Sequence, residues 1–321
     1  MGATGGAWEG EGVWLKTALH THTSDTDGEL QPRAVAEHYE WAGFDVLTIT
    51  DHWTLTSAPS TEHLLVITGA ELAVDPLGNG RYTEILAIGI DALPDDPGGD
   101  RAYWERIDNY DFKTFPDLST AAAFITGQGG AAFVAHPYWS GLTPEVILGA
   151  EGLTGLELFN AGAERENGRG DSSYIWDLAL EAGLSLSAIA TDDSHYPLFD
   201  IGDAWTMVRA ADRSRDAVLE ALRDGWSYAS SGPTLHDVRR AGDRIEVHCS
   251  PCRSVGLQTR YQEGWSVRAD HRGRQEGARI LERNDAGLVV RAEFRPDVED
   301  LPFVRVVATD AEGRQAWTNP I

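Results

Sequence analysis

Lysine is nearly missing from this chain: in 321 residues it occurs only at Lys16 and Lys113, so almost all cationic charge is arginine. The 26 basic residues face 51 acidic ones, for a formal net charge of −25. A surface that acidic repels phosphate backbones and anionic headgroups, which excludes nucleic-acid polymers and membranes as expected partners. An anionic small molecule would need positive charge supplied locally, by arginine or by metal ions. Cysteine is equally scarce. Cys249 and Cys252 form "CSPC", but there is no second pair to complete a zinc site and no surrounding βαβ pattern, so they read as ordinary thiols. No apolar run approaches the ~18 residues of a membrane span. The start, "MGATGGAWEGEG", lacks the basic head and apolar stretch of a signal peptide. Residues 1–12 read as a flexible leader, and the expected location is the cytoplasm. Two catalytic motifs are also missing. Without G-x-S-x-G or G-x-x-x-x-G-K-[ST], serine-elbow hydrolysis and P-loop NTP hydrolysis are excluded.

What is present is ordinary for a globular protein: 42% hydrophobic and 24% charged residues, with length for about two domains. Short β-like runs at 14–19, 44–50, 64–68, 84–90, 131–135, 154–159, 185–190 and 203–208 alternate with helical patterns at 32–43, 116–128, 143–150, 171–183 and 214–224. Several runs, such as "LLVIT" and "AAFVA", are apolar throughout, as strands buried on both faces are. This alternation predicts a parallel α/β sheet closed into an irregular barrel over 13–232. After "YASSGP" (228–233) the pattern changes to short alternating segments separated by turn residues. Residues 233–321 are therefore expected to form a separate, small, sandwich-like all-β module.

The chemically suggestive side chains fall where the expected strands end. His20 and His22 close the first, and alternation puts both imidazoles on one face. Asp27 follows in "SDTDG", Asp51 and His52 end "TITDH", Glu71 lies in "GAEL", His136 in "AHP", and Asp192 and His195 in "TDDSH". Singly, each is a common loop feature. Together they form five successive clusters on one side of one sheet, where the strand ends of a parallel barrel converge. His38, His63, His236, His248 and His271 lie outside the pattern and read as surface or packing residues.

The set "LHTHTSDTDGEL", "TITDHWTL", "GAEL", "AHP", "ELFN" and "TDDSH", spread over roughly 14–232, resembles the PHP (polymerase and histidinol phosphatase) family of metallohydrolases. Within it the chain looks most similar to the carbaryl-hydrolase-like members, whose tail pattern is like "YASSGP" and "CSPC" here. The resemblance implies a distorted (β/α)7-type barrel and two or three divalent transition-metal ions, Zn²⁺, Mn²⁺ or Fe²⁺. It implies that His20, His22, Glu71 and Asp192 hold a first ion, that Glu71 is shared with a second that also uses His136, and that Asp27, His52 and His195 hold a third. Many members carry one more histidine at the end of the strand matching 84–90, where this chain has Ile90 and Asp91, so the second position lacks a ligand there.

Mixed imidazole and carboxylate ligands suit those metals. A bridging carboxylate would hold two ions about 3.5–4 Å apart, and water between them, its pKa lowered from 15.7 toward ~7, becomes a nucleophilic hydroxide. The expected activity is metal-dependent hydrolysis of a small anionic ester, a phosphomonoester or small phosphodiester. Glu71, Asp192 and His195 stand at the reacting centre, and Arg165, with Arg169 in the same expected loop, serves as the phosphate contact. Asp51, Glu157 and Asn160 read as residues that orient ligands. Trp53 and Trp139 flank site motifs and are candidates to wall the pocket. The alternatives are a carbamate, amide or ester hydrolase of the carbaryl-hydrolase type and a non-catalytic metal-dependent binding protein.

Overall fold

The computed structural model describes residues 7–8, 11–75, 83–94, 115–260, 262–270, 276–296 and 301–321. Most of the expected leader, His271 and Lys113 lie outside the described residues. The first part runs β1 (Val13–Ala18), α1 (Pro32–Trp41), β2 (Val46–Ile49), β3 (Leu65–Val74), β4 (Thr83–Ile88), α2 (Leu118–Thr126), β5 (Ala131–Val134), α3 (Pro144–Leu148), β6 (Gly155–Asn160), α4 (Ala161–Asn167), α5 (Ser173–Glu181), β7 (Ser187–Thr191), β8 (Trp205–Ala210), α6 (Arg215–Arg223) and β9 (Ser227–Ser230). Helix starts are marked by proline at the first turns of α1 and α3 and by side-chain caps from Asp117, Asn160 and Ser214. The four residues of β2 and of β5 are all buried, as strands covered on both faces must be.

Among β1 to β8, six strands run parallel and two do not. β4 is antiparallel to both β3 and β5, and β8 is antiparallel to β1. Only residues 75–82 separate β3 from β4, too few for the crossover that a parallel pair needs. The sheet curls until its last strand meets its first ones again. The Thr206 hydroxyl on β8 donates to Ala190 O on β7 (2.9 Å) and accepts from Ala190 N (3.0 Å). Beyond the strand ends, His22 N donates to Ser194 O at 2.9 Å, so the segments that follow β1 and β7 meet at one mouth.

The last third is all-β, and part of it pairs with the first sheet. Strands β10 (Leu235–Ala241), β11 (Arg244–Cys252), β14 (Ala278–Arg283) and β15 (Val289–Phe294) form a four-stranded antiparallel sheet in the order β10-β11-β15-β14. Strands β12 (Ser254–Gln258), β13 (Gly264–Arg268), β16 (Arg305–Thr309) and β17 (Gln315–Thr318) join the first sheet instead, because β17 pairs with β9. One thirteen-stranded sheet therefore runs through both parts. Its outer wing shares a core with the smaller sheet through Val247, Ala292, Val255, Val306 and Ala316. Cys249 and Cys252 are buried free thiols in that core. Trp8 packs on Trp14 and Tyr228 at 4.7 and 5.6 Å, which ties down part of the segment expected to be a leader.

Polar anchors reinforce this junction. The buried Arg305 guanidinium makes paired hydrogen bonds to Asp177 (2.7 and 2.8 Å) and lies 4.9 Å from the Trp176 ring centre. Asn319 accepts from Ala188 N (2.8 Å) and donates to Gly225 O (3.0 Å) and Ser227 O (3.2 Å). Asn319→Ala removes the acceptor of the buried Ala188 N and two donors to the β9 end, and is expected to cost about 1–3 kcal/mol. Because the sheet is continuous, scanning calorimetry should show one unfolding transition at lower Tm. Two resolved transitions, with only the C-terminal one shifted, would contradict this coupling.

Candidate metal centre

The strand ends set the site. His20 and His22 lie fully buried just past β1, Asp51 and His52 follow β2, Glu71 lies within β3, His136 follows β5, and Asp193 and His195 follow β7. The packing there leaves little freedom. A Cβ on Gly28 would sit 2.6 Å from the His22 carbonyl carbon and oxygen, so only glycine lets the Asp27 loop fold back against the histidine. Trp53, His136 and Asp193 hold φ values of 51°, 25° and 50°, and each lies in or beside a site segment. Such left-handed backbone costs about 1–3 kcal/mol per residue and persists where its surroundings enforce it.

Glu71 is the hub. Its Oε2 lies 3.2 Å from His20 Nε2, 3.3 Å from His22 Nε2 and 3.4 Å from His52 Nδ1, while Oε1 lies 3.1 Å from His136 Nε2. Asp27 forms a second focus, 3.4 Å from each of His22 Nδ1, His52 Nε2 and His195 Nε2. Around these, residues already satisfied elsewhere hold the ligand side chains. Glu157 accepts from His20 Nδ1 (2.7 Å) and Thr191 Oγ1 (2.5 Å) on one oxygen, and from His136 N (2.7 Å) and Asn160 Nδ2 (2.8 Å) on the other. Asp51 accepts from Thr23 N and from the hydroxyls of Thr23, Thr26 and Thr56, which fixes the loop between His22 and Asp27.

Several expectations need correction. Asp192 does not face the cluster. Its carboxylate accepts from the backbone amides of Gly202, Asp203 and Ala204, each at 2.9 Å, and from Tyr39 at 3.3 Å. Asp193 takes its place, with Oδ1 3.1 Å from His20 Nε2 and 3.2 Å from His22 Nε2. The left-handed Asp193 backbone turns its side chain inward, and adjacent aspartates in "TDDSH" carry no mark of which one turns. Glu84 was missed altogether. It lies 3.2 Å from His52 Nδ1 and 3.7 Å from His136 Nε2, at the beginning of β4, because an antiparallel strand brings its start and not its end to the mouth. The signal was a lone carboxylate just before the apolar run "ILAI". Arg165 lies on α4 rather than in a loop. It lines the pocket and is paired with Asp203. Arg169 instead packs 5.8 Å from the Tyr138 ring centre. Trp53 is a core residue stacked on Phe115, whereas Trp139 lines the pocket beside His136.

Among the described residues, four sets have donor atoms mutually within 4.8 Å: His22, Asp27, His52 and His195; His20, His22 and Glu71; His20, His136 and Asp193; and His52, Glu71 and Glu84. Two donors, His22 Nδ1 and Asp193 Oδ1, are buried without a hydrogen-bond partner. Unpartnered lone pairs in a set of imidazoles and carboxylates fit divalent cations. The electrostatics agree. Burial pulls the histidines toward the neutral form, but the surrounding carboxylates outweigh it. They raise His22 and His136 to about 9, and His20 and His52 well above 6.5. Burial opposes ionisation of Glu71, Asp27 and Asp193, and the neighbouring histidines overcome it, so all three lie below the usual carboxylate range. Burial pushes Asp192 up to about 7.

Protons and metal ions therefore compete for these imidazoles. In chelated protein, histidines raised from 6.5 to about 9 stabilise the fold below pH 6.5, and that stabilisation is lost as pH rises through 9. The raised Asp192 acts in the same direction. The Tm of chelated protein should thus fall between pH 6.5 and 9. Metal-loaded protein should hold its Tm, and metal uptake at pH 7.5 should release protons, measurable by calorimetry in buffers of different ionisation enthalpy. A chelated Tm that rises over this window would show that the histidines are not proton-loaded.

No family model and no curated protein matches the chain. Solved structures do. A two-domain protein from Bacteroides vulgatus ATCC 8482, containing a predicted PHP-like metal-dependent phosphoesterase, is 15% identical with a TM-score of 0.50, covering 100% of this chain and 98% of that one. An amidohydrolase from Chromobacterium violaceum, with bound sulfate and no metal, is 18% identical over 57% of this chain and 89% of its own, at TM-score 0.39. A protein from Bifidobacterium adolescentis ATCC 15703, provisionally described as a metal-dependent phosphoesterase, is 18% identical over 58% and 89%, at TM-score 0.41. The end-to-end match to the Bacteroides protein shows a shared architecture, a mixed α/β part continued by an all-β part.

Proposed function

We propose that this protein is a metal-dependent phosphoesterase, built on a distorted (β/α)7-type barrel of the PHP kind, that hydrolyses a phosphomonoester or small phosphodiester. The observation that carries the reading is one pocket of about 450 Å³. Glu71, Asp27 and Asp193 line it with the imidazoles of His22, His52, His136 and His195, and Arg165 is the one arginine or lysine among its described lining residues. His20, His22, Glu71 and Asp193 would hold one ion, Glu71 with His136 a second, and Asp27, His52 and His195 a third, of Zn²⁺, Mn²⁺ or Fe²⁺. When bound, such ions supply Lewis-acid polarisation of the ester and lower the pKa of water.

The chain's own groups do the rest. Glu71, whose Oε2 faces His20, His22 and His52 and whose Oε1 faces His136, would be shared between two ions. Glu157 and Asn160 keep His20, His136 and Asp193 in place. Arg165, held from behind by Asp203, offers a guanidinium to an anionic oxygen at the rim. The same pairing supports a second reading, hydrolysis of a neutral carbamate or ester. Asp203 partly neutralises Arg165, and Trp139 gives the pocket an apolar wall.

Two variants test these roles. Glu71→Gln nearly preserves volume but removes the shared charge. It should lower kcat about 100-fold or more, roughly 2.7 kcal/mol, with folding intact by circular dichroism. A folded variant with near-normal kcat would leave no shared-metal mechanism standing. Arg165→Ala should raise KM about 10- to 150-fold for an anionic aryl phosphate, the loss of one charge-assisted contact of about 1.5–3 kcal/mol, and far less for a neutral aryl carbamate. Equal effects on both would favour the carbamate reading.

A further inference from the structure

We infer that Glu84 is a ligand of the metal position between Glu71 and His136, and that it makes this position oxygen-rich and selective for Mn²⁺ over Zn²⁺. The inference rests on the metal-centre reading above and adds which residue completes one position and which ion it favours.

Glu84 lies opposite Ala73 in the β3–β4 ladder, and Ala135 N donates to its carbonyl at 3.0 Å. That register sets its side chain between the residues after β2 and those after β5. Oε1 lies 3.2 Å from His52 Nδ1, and Oε2 lies 3.7 Å from His136 Nε2. A neutral imidazole has one nitrogen lone pair to give, and its other nitrogen carries hydrogen. His52 Nε2 faces Asp27, 3.4 Å away, in the group that also holds His195, so Nε2 is the ligand nitrogen there. Nδ1–H is then the donor to Glu84 Oε1. For His136 the choice is equally constrained. Nδ1 is engaged with Ser140 Oγ at 3.0 Å, which leaves Nε2 facing Glu71 Oε1 at 3.1 Å and Glu84 Oε2. One oxygen of Glu84 therefore orients a ligand of one ion while the other completes a second position of two carboxylates and one imidazole.

Glu84 is enclosed among the groups of the cluster, facing the His52 and His136 imidazoles. Its side chain is 13% exposed, and Arg165, the one arginine or lysine among the described residues lining the pocket, is paired with Asp203. Oxygen donors favour harder ions such as Mn²⁺, whereas the neighbouring group around His20 and His22 is richer in nitrogen and suits Zn²⁺.

The test titrates chelated wild type, Glu84→Gln and Glu84→His separately with Mn²⁺ and Zn²⁺. Calorimetry reads stoichiometry and affinity, mass spectrometry reads metal content, and the Tm of each chelated protein reports folding. Wild type should bind one more Mn²⁺ per chain than Glu84→Gln, or bind its weakest Mn²⁺ at least about tenfold more tightly. Glu84→His should regain that equivalent for Zn²⁺ and not for Mn²⁺, a change of preference that a purely structural role would not produce. Should Glu84→Gln fail to fold, this exchange of preference in Glu84→His carries the test alone. Unchanged Mn²⁺ stoichiometry and affinity in folded Glu84→Gln overturns the assignment, as does a Glu84→His protein with wild-type preference. Wild type that takes up neither ion overturns this assignment together with the metal-centre reading; wild type that binds both while Glu84→Gln is unaltered overturns this assignment alone.

Discussion

A single buried carboxylate, Glu157, ties the mouth of this protein together. It accepts four hydrogen bonds, from the His20 ring, the Thr191 hydroxyl, the His136 backbone and the Asn160 amide, and so joins the segments that end β1, β5, β6 and β7. A carboxylate with no exposed surface is tolerated only when it is fully partnered, and removal of one partner from a buried charged pair costs about 3–5 kcal/mol. That penalty makes the arrangement all-or-none. The four segments sit correctly together or the charge is stranded. Asn160 extends the same constraint: its carbonyl caps α4 through Ala163 N, while its amide reaches Asp193. The helix that carries Arg165 is thereby keyed to the carboxylate that faces His20.

The centre that Glu157 organises is a concentration of opposite charges that bulk solvent does not screen. Glu71, Asp193 and Asp27 each remain ionised against the pull of burial because imidazoles surround them. The imidazoles in turn hold protons against burial because of the carboxylates. Each half of this balance requires the other, and a divalent cation satisfies the carboxylates while leaving the imidazoles neutral. The left-handed backbone at His136 and Asp193 belongs to the same trade, since side chains aimed inward by strained backbone are held only by dense packing. The C-terminal strands contribute to that density from behind. The thirteen-stranded sheet carries their pairing through β9 and β8 into β1, the strand that delivers His20 and His22.

Much of this is legible in the chain itself. The H-x-H pair, Glu71 and His136 stand out as candidates from strand-end position alone, because period-two alternation and apolar strands are local properties. The β-rich character of 235–321 is visible for the same reason. What could not be read is direction and rotation. Asp192 and Asp193 are chemically identical neighbours, and only a backbone turn at φ 50° decides that the second faces the histidines while the first accepts loop amides. Glu84 does not stand out in the sequence, because the expected strand at 64–68 leaves room for a crossover, and only the observed extension of β3 to Val74 shortens the connection to one that an antiparallel pair can use.

The sequence by itself determined which donor atoms are available, their order along the chain, and a strongly acidic composition in which arginine carries nearly all the cationic charge. These depend on composition and local periodicity, which any chain displays before it folds. Only the tertiary structure decided that β17 would close against β9, that β4 would run backwards into the mouth, and that Asp193 and Glu84 would join residues distant in sequence around Glu71. Those outcomes depend on strand pairing and on the long-range neutralisation of buried charge, interactions between segments that no local stretch of sequence contains.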